Sequence, residues 1–443
     1  MHLAPEIKGF SSAFNMERRK TFRSIGRITK LVGLTVESSG PMCSVGDLVS
    51  ISSSSSQQGE NGNYAEVVGF RDDRVLLFPL DGIEGVRSGD KVVVVNEGFT
   101  IPVGSELLGR VIDGLGRPID GLGPVSCSQR WKVRRQAPNS MLRTRITEHF
   151  VTGVRSVDSC IACGHGQRMG IFAGSGVGKS TLIGMIARNS SSDMNVISLI
   201  GERGKEVLDF IEDSLGEEGL KKSVVLVSTS DKSPLQRVKG AETAMSIAEY
   251  FRDQGKNVLF IMDSVTRYAM AQREIGLAIG EPPATRGYPP SVFSMMPALL
   301  ERAGTNQNGS ITGFFTVLVE GDDMNDPIGD AARGILDGHV VLSRELAHQG
   351  HYPAVDVLQS ISRVMSSVSL PEHLKMAQQM RQILAVYRKA EDMINIGAYK
   401  PGSNPDIDYA IKKKRSIDSF LRQSVNERFK WQDILNKMKE VLT

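Results

Sequence analysis

The decapeptide FAGSGVGKST, Phe172 to Thr181, decides how the rest of the chain is read. It has the form of a phosphate loop, in which backbone N–H groups and the N-terminus of the following helix bind phosphate oxygens. Such a loop needs flexible glycines, one lysine and one hydroxyl. Gly174, Gly176 and Gly178 supply the first, Lys179 reaches the β- and γ-phosphates, and the Ser180 hydroxyl binds Mg²⁺. The usual pattern begins with glycine, whereas Ala173 stands first here; its one methyl group fits where φ is negative. Ala173, Gly174, Ser175, Gly176, Val177, Gly178, Lys179, Ser180 and Thr181 are therefore the expected nucleotide-binding run. A strand-like RMGIFA precedes the loop and a helical TLIGMIARNS follows it, the order the mechanism requires.

Outward from the loop, the apolar runs MGIFA, NVISLIG, VVLVST, NVLFIMD and GFFTVLVEG do not alternate with polar residues. Runs of this kind suit parallel strands covered on both faces, and helical patterns separate them. In one of these, Ala244, Ile247, Ala248 and Phe251 share a face and Gly255 supplies the stop. The pattern predicts a doubly wound α/β domain. Two carboxylates fall at strand ends, the edge that faces the ligand in open α/β sheets. Asp263 closes NVLFIMD and either holds Mg²⁺ beside the loop or caps a helix. Glu202, in LIGERGKEV, either polarises the water that attacks the γ-phosphate or pairs with Arg203 or Lys205.

The flanks differ from this centre. Residues 21–95 read as short β segments broken by turns, from SIGRITKLVGLTVESSG to DKVVVV, which predicts a small barrel. Within them SSSSSQQGENGN, Ser52 to Asn63, has nothing apolar to bury and reads as a surface loop. From residue 371 the pattern is helical: Pro371 opens one helix and Gly397 closes it, and Asn404 with Pro405 forms an N-cap and N1 proline. Trp431, Ile434, Leu435, Met438, Val441 and Leu442 form one apolar face. The expected organisation is a segment 1–20, a barrel 21–95, an α/β core 96–370 and a helical region 371–443.

Composition narrows the function. A chain of 443 residues with net charge +3 has no broad electrostatic attraction for nucleic acid. Four cysteines are too few for a disulfide scaffold, and the C-x-x-C of Cys160 and Cys163 has no second pair to complete a zinc site, so buried reduced thiols are expected. No apolar run is long enough to span a bilayer, and MHLAPEIKGFSSAF lacks the order of a signal peptide; a cytosolic chain is expected.

Longer motifs carry a resemblance. PAVDVLQSIS, Pro353 to Ser362, with LLGRVIDGLGRPIDG and GERGKEV, resembles the α/β subunit family of ATP synthases. The stretch from Asp263 to Gly304 and INIGAYKPGSNPDIDYAI are similar to the type III secretion ATPases, above all their flagellar export branch. The resemblance implies a hexameric ring of subunits, each a β-barrel, a RecA-like P-loop core and a C-terminal helical domain. It implies Lys179 and Ser180 as the phosphate-loop pair, Glu202 as catalytic glutamate, Arg203 as a γ-phosphate contact and Asp263 as the metal-side aspartate. It further implies Tyr352 as the adenine-stacking residue and Arg363 as an arginine finger for the neighbouring subunit. Implied partners are a stator regulator at the N-terminal segment, a central stalk protein, export chaperones with cargo, and a membrane export gate at the inner membrane.

Departures separate the relatives. MINIGAYKPGSNPDIDYAIKKKRS lacks the acidic run by which the ATP synthase β subunit meets its shaft. Residues 21–95 hold no RNA motif of the kind expected of the terminator Rho. Two alternatives remain on the residues alone, a virulence secretion ATPase of identical chemistry and a non-catalytic nucleotide-binding ring subunit. The basic clusters ERRK (17–20) and KKKR (412–415) read respectively as a regulator contact, by resemblance, and as a solvated helix face.

Overall fold

Short segments with inward apolar residues close on themselves in the first part of the described chain. The computed structural model describes residues 24–52, 63–82, 84–319 and 326–443. The expectations for segment 1–20 and for most of the serine-rich loop therefore lie outside the described residues. Strands β1 (Ile25–Val32), β2 (Thr35–Ser38), β3 (Leu48–Ser52), β4 (Asn63–Arg71), β5 (Arg74–Pro79) and β6 (Lys91–Asn96) form a closed antiparallel barrel in the order β1-β2-β5-β4-β3-β6. Val36, Val49, Ala65, Val67, Leu77 and Val92 fill its interior, and closure removes the exposed strand edges that invite aggregation.

The second body is a parallel sheet. Its strands are β7 (Val111–Asp113), β8 (Arg168–Ala173), β9 (Met194–Ile200), β10 (Ser223–Ser228), β11 (Asn257–Asp263), β12 (Ser310–Leu318), β13 (Gly338–Leu342) and β14 (Ile361–Ser362). They run in the order β14-β13-β8-β12-β11-β9-β10-β7, with β14 antiparallel to β13 and the other neighbours parallel. Every residue of β9 and β10 is buried, which is why their apolar runs do not alternate. The helices that bear on the site are α1 (Arg155–Cys160), α2 (Lys179–Asn189), α3 (Gly204–Asp209), α4 (Pro234–Asp253), α5 (Val265–Ile279), α6 (Pro371–Asn395), α7 (Pro405–Leu421) and α8 (Trp431–Leu442).

Local chemistry sets the C-terminal helices. Pro371 occupies the first turn of α6, and Gly397 follows its end at φ 72°. The Asn404 side chain accepts from the N–H groups of Asp406 (2.9 Å) and Ile407 (3.3 Å), a cap worth about 1 kcal/mol. Helix α8 buries Ile434, Leu435 and Met438, and it packs with α6 and α7 against α1. The apolar stripe is therefore core. Of the KKKR cluster, Lys413 reaches the Val441 carbonyl (3.1 Å) and Lys414 pairs with Asp418, whereas Lys412 and Arg415 are exposed. The division between compact units falls between Glu97 and Gly98, so the sheet and the C-terminal helices share one unit. Cys160 and Cys163 are buried free thiols, and burial raises both pKa values.

Candidate active site

Strand β8 delivers Ala173, 1% exposed and still in strand conformation, to the mouth of the phosphate loop, so its methyl group meets no backbone strain. The turn then depends on Gly176 at φ 78° and Gly178 at φ 90°, conformations that favour glycine, before α2 begins at Lys179. Ser180 and Thr181 lie exposed in the first turn of α2. The Tyr352 ring sits against this turn: a Cβ built on Gly178 would lie 3.6 Å from its Cδ1 and Cε1.

Strand β9 ends at a second tight turn. Gly201 adopts φ 72°, its N–H donates to the Ser228 carbonyl (2.7 Å), and Glu202 follows. Asp263 is the last residue of β11, in register beside Leu199 of β9. These placements bring three side chains together. Lys179 Nζ lies 2.6 Å from Asp263 Oδ1 and 3.3 Å from Glu202 Oε1. The Thr316 hydroxyl, on β12 between the loop strand and β11, donates to Asp263 Oδ1 at 2.7 Å.

The electrostatics are uneven. Burial alone lowers the Lys179 pKa, but Asp263 and Glu202 outweigh it and the net shift is upward. Burial raises Asp263 and Glu202 despite the lysine, and the Glu206 carboxylate adds to the rise at Glu202. One ammonium thus faces two partly desolvated carboxylates. Such a cluster, desolvated at the carboxyl ends of the strands, marks a candidate functional site.

Two expected residues lie away from this group. Arg203 caps α3, and its side chain, 82% exposed, pairs with Glu206 at 3.5 Å. Arg363 follows β14, which pairs with β13 through Gly338–Ser362, while the loop strand's Ala173 is in register with Leu342 at the other end of β13. At about 3.3 Å per residue the two ends of β13 are roughly 13 Å apart, so Arg363 stands at the opposite edge of the sheet from its own chain's loop. Its side chain is exposed, with Nη2 3.3 Å from the Arg333 carbonyl.

Two residues emerge that the sequence did not single out. Thr316 orients Asp263, and its signal was a lone hydroxyl inside the apolar GFFTVLV. Arg267, three residues into α5, packs its side chain on Gly201, where a Cβ would come within 2.8 Å, and its buried Nε has no hydrogen-bond partner. The arginine stem that packs on the turn before Glu202 was hidden in an ordinary helical stretch, TRYAMAQ.

A phosphate loop on a parallel sheet, facing a half-buried glutamate and a buried aspartate at neighbouring strand ends, defines a RecA-like P-loop nucleoside triphosphatase. Comparison with known proteins makes this particular. The family model for the ATP synthase alpha/beta family nucleotide-binding domain matches residues 153–362, and that family's beta-barrel domain matches residues 28–95. The T3SS EscN ATPase C-terminal domain matches residues 370–440. The chain belongs to the ATP synthase alpha/beta family, in its type III secretion ATPase branch. It is 52% identical over 420 residues to the flagellum-specific ATP synthase of Bacillus subtilis (strain 168), covering 93% of this chain and 94% of that protein. The assembled ATPase EscN of the enteropathogenic E. coli type III secretion system superimposes with a TM-score of 0.89 at 45% identity, over 94% of this chain and 100% of that one. EscN in complex with its central stalk EscO gives 0.87 at 44% identity, with the same coverage.

Proposed function

We propose that this chain is a Mg²⁺-dependent ATPase that works as a homohexameric ring and energises type III protein export into the growing flagellum. The observation that carries the reading is Lys179 held between Glu202 and Asp263 at the carboxyl ends of the strands. Lys179 turns to the β- and γ-phosphates when nucleotide enters, with the loop N–H groups around them. Glu202, its pKa raised by burial, then accepts hydrogen bonds from the attacking water and orients it in line with the γ-phosphate. The oxygen donors fit a magnesium ion: the Asp263 carboxylate, 5% exposed and fixed by Thr316, and the open Ser180 hydroxyl. The ion supplies charge neutralisation on the β- and γ-phosphates.

Arg363, remote from its own chain's loop, fits the role of an arginine finger for a neighbouring copy, and Arg203 that of a γ-phosphate contact once its exposed side chain leaves Glu206. Tyr352 stacks on adenine. The domains follow the boundaries 1–20, 21–95, 96–370 and 371–443, with the first binding a stator regulator. The relative described with its central stalk supports a stalk protein as partner here. Chaperone–cargo complexes and the export gate complete the set, with the enzyme cytoplasmic and peripheral to the inner membrane. A virulence injectisome is the second reading, favoured by the likeness to EscN. Disruption of the gene in its own organism separates them: loss of flagellar filaments and motility, restored by the wild type and not by Glu202→Gln, supports the flagellar reading. Intact flagella with lost effector secretion supports the other.

A further inference from the structure

Gln423 lies in the connection between α7 and α8, far along the chain from the phosphate loop, yet it is 5% exposed and fully hydrogen-bonded. Its backbone N–H donates to the Tyr352 carbonyl at 2.9 Å. Its side-chain Oε1 accepts from the Arg155 N–H at 2.8 Å, and Nε2 donates to the carbonyls of Gly153 and Glu427, both at 2.9 Å. One buried residue thus joins three segments, its side-chain amide the turn before α1 and the α7–α8 connection, and its backbone N–H the turn that carries Tyr352.

The neighbours stiffen this joint. Arg155, itself 6% exposed, pairs with Glu427 Oε2 at 2.8 Å and lays its guanidinium 4.1 Å from the Phe429 ring centroid. Two residues beyond Gln423, the Val425 carbonyl accepts from Arg188 of the phosphate-loop helix at 3.0 Å. The connection is therefore tied to Tyr352 at one point and to α2 at another. The bridge thus runs from the phosphate-loop helix to the residue whose ring faces Gly178.

We propose that Gln423 is a positioning residue for the base of the nucleotide, holding Tyr352 at its stacking distance from the phosphate loop through the hydrogen bond to the Tyr352 carbonyl. The inference rests on the reading of Tyr352 as the adenine-stacking residue. A ring fixed in place costs less ordering when the base binds, so the effect belongs in nucleotide affinity and not in the chemical step. Replacing the amide strands the Gly153 and Glu427 carbonyls and frees the connection to shift.

The test is steady-state hydrolysis of ATP and of ribose 5′-triphosphate, which has no base, by the full chain at one fixed protein concentration. Gln423→Ala is expected to raise the KM for ATP about tenfold with kcat within about twofold of wild type, and to leave the KM for ribose 5′-triphosphate unchanged. Tyr352→Ala should do the same, and the double variant should be no worse than Tyr352→Ala alone. Gln423→Met, which keeps the volume and removes the side-chain hydrogen bonds, carries the same test should the alanine variant not fold. The inference is overturned if the Gln423 variants leave the ATP KM unchanged while Tyr352→Ala raises it, or if both substrates lose equally, which marks a merely structural role. An unchanged ATP KM in Tyr352→Ala overturns the reading of Tyr352 itself, and the inference with it.

Discussion

At Arg302 a buried guanidinium is matched donor for acceptor. Its Nε and Nη2 each lie 2.9 Å from a Glu249 oxygen, Nη2 also reaches Ser246 Oγ at 2.8 Å, and Nη1 reaches the Val133 carbonyl at 3.1 Å. At Lys179, in the same compact unit, one ammonium is divided between two carboxylates, both with raised pKa values, beside a loop whose Gly176 and Gly178 sit at positive φ. The first cluster closes on itself and pins α4 to the turn that carries Arg302. The second is left with an excess of negative charge and open backbone donors. Saturation marks a structural ion pair, and imbalance marks a site that completes itself with a ligand.

The contrast breaks most visibly in activity. Glu202→Gln should lower kcat by a factor on the order of 10²–10⁴, measured as phosphate release, because it replaces the basic carboxylate that polarises the attacking water with a neutral amide. Stability should hold or rise, since one of two crowded carboxylates becomes neutral. Arg302→Met should behave in the opposite way. It leaves Glu249, which is 1% exposed, with only the longer Arg135 contact at 3.6 Å, and should cost about 3 kcal/mol in denaturant unfolding while the folded fraction keeps its turnover. A large loss of stability in Glu202→Gln, or of kcat per folded molecule in Arg302→Met, would erase the distinction.

Thr316→Val sharpens the comparison at smaller scale. It removes the hydroxyl from Asp263 while keeping the shape, and should cost about 1–3 kcal/mol as weaker Mg-ATP binding, seen by titration of Mg²⁺ at fixed ATP. The smallest effect concerns the joint between sheet and C-terminal helices, where His149 stacks 4.2 Å from the Trp431 ring centroid and His373 meets its edge at 4.9 Å. Burial, with lesser contributions from His373 and His165, lowers the His149 pKa to about 4. His165 and His373 are shifted the same way, each chiefly by burial. Between the unfolded value near 6.5 and about 4 the unfolded chain binds protons that the native ring refuses. This stability is therefore present above pH 6.5 and lost as the pH falls through that window. The melting temperature should drop on acidification from pH 7 to 5, and His149→Phe should flatten the slope.

Local signals were legible from the chain. The phosphate loop, the fully apolar strands, the Asn404 cap and the N1 prolines all follow from neighbours within a few residues, and each stands where it was expected. The strand ends that carry Glu202 and Asp263 were legible for the same reason, because an apolar run stops there. What tertiary contact decides was not legible. Thr316 matters only because β12 lies beside β11, and Gln423 only because the α7–α8 connection folds back onto Tyr352. Arg203 carries the reverse lesson: it adjoins Glu202 in sequence, yet its side chain points to Glu206.

On the proposed reading, neighbouring copies complete one another's sites, with Glu202 and Lys179 from one and Arg363 from the next. The most direct test mixes two variants, Glu202→Gln and Arg363→Ala, each nearly inactive alone, and follows phosphate release after subunit exchange. Random mixing leaves about one interface in four with both Glu202 and Arg363 intact in a head-to-tail ring, so activity should reappear in the mixture. A mixture as inactive as its parts, or an Arg363→Ala variant as active as wild type, would contradict the account.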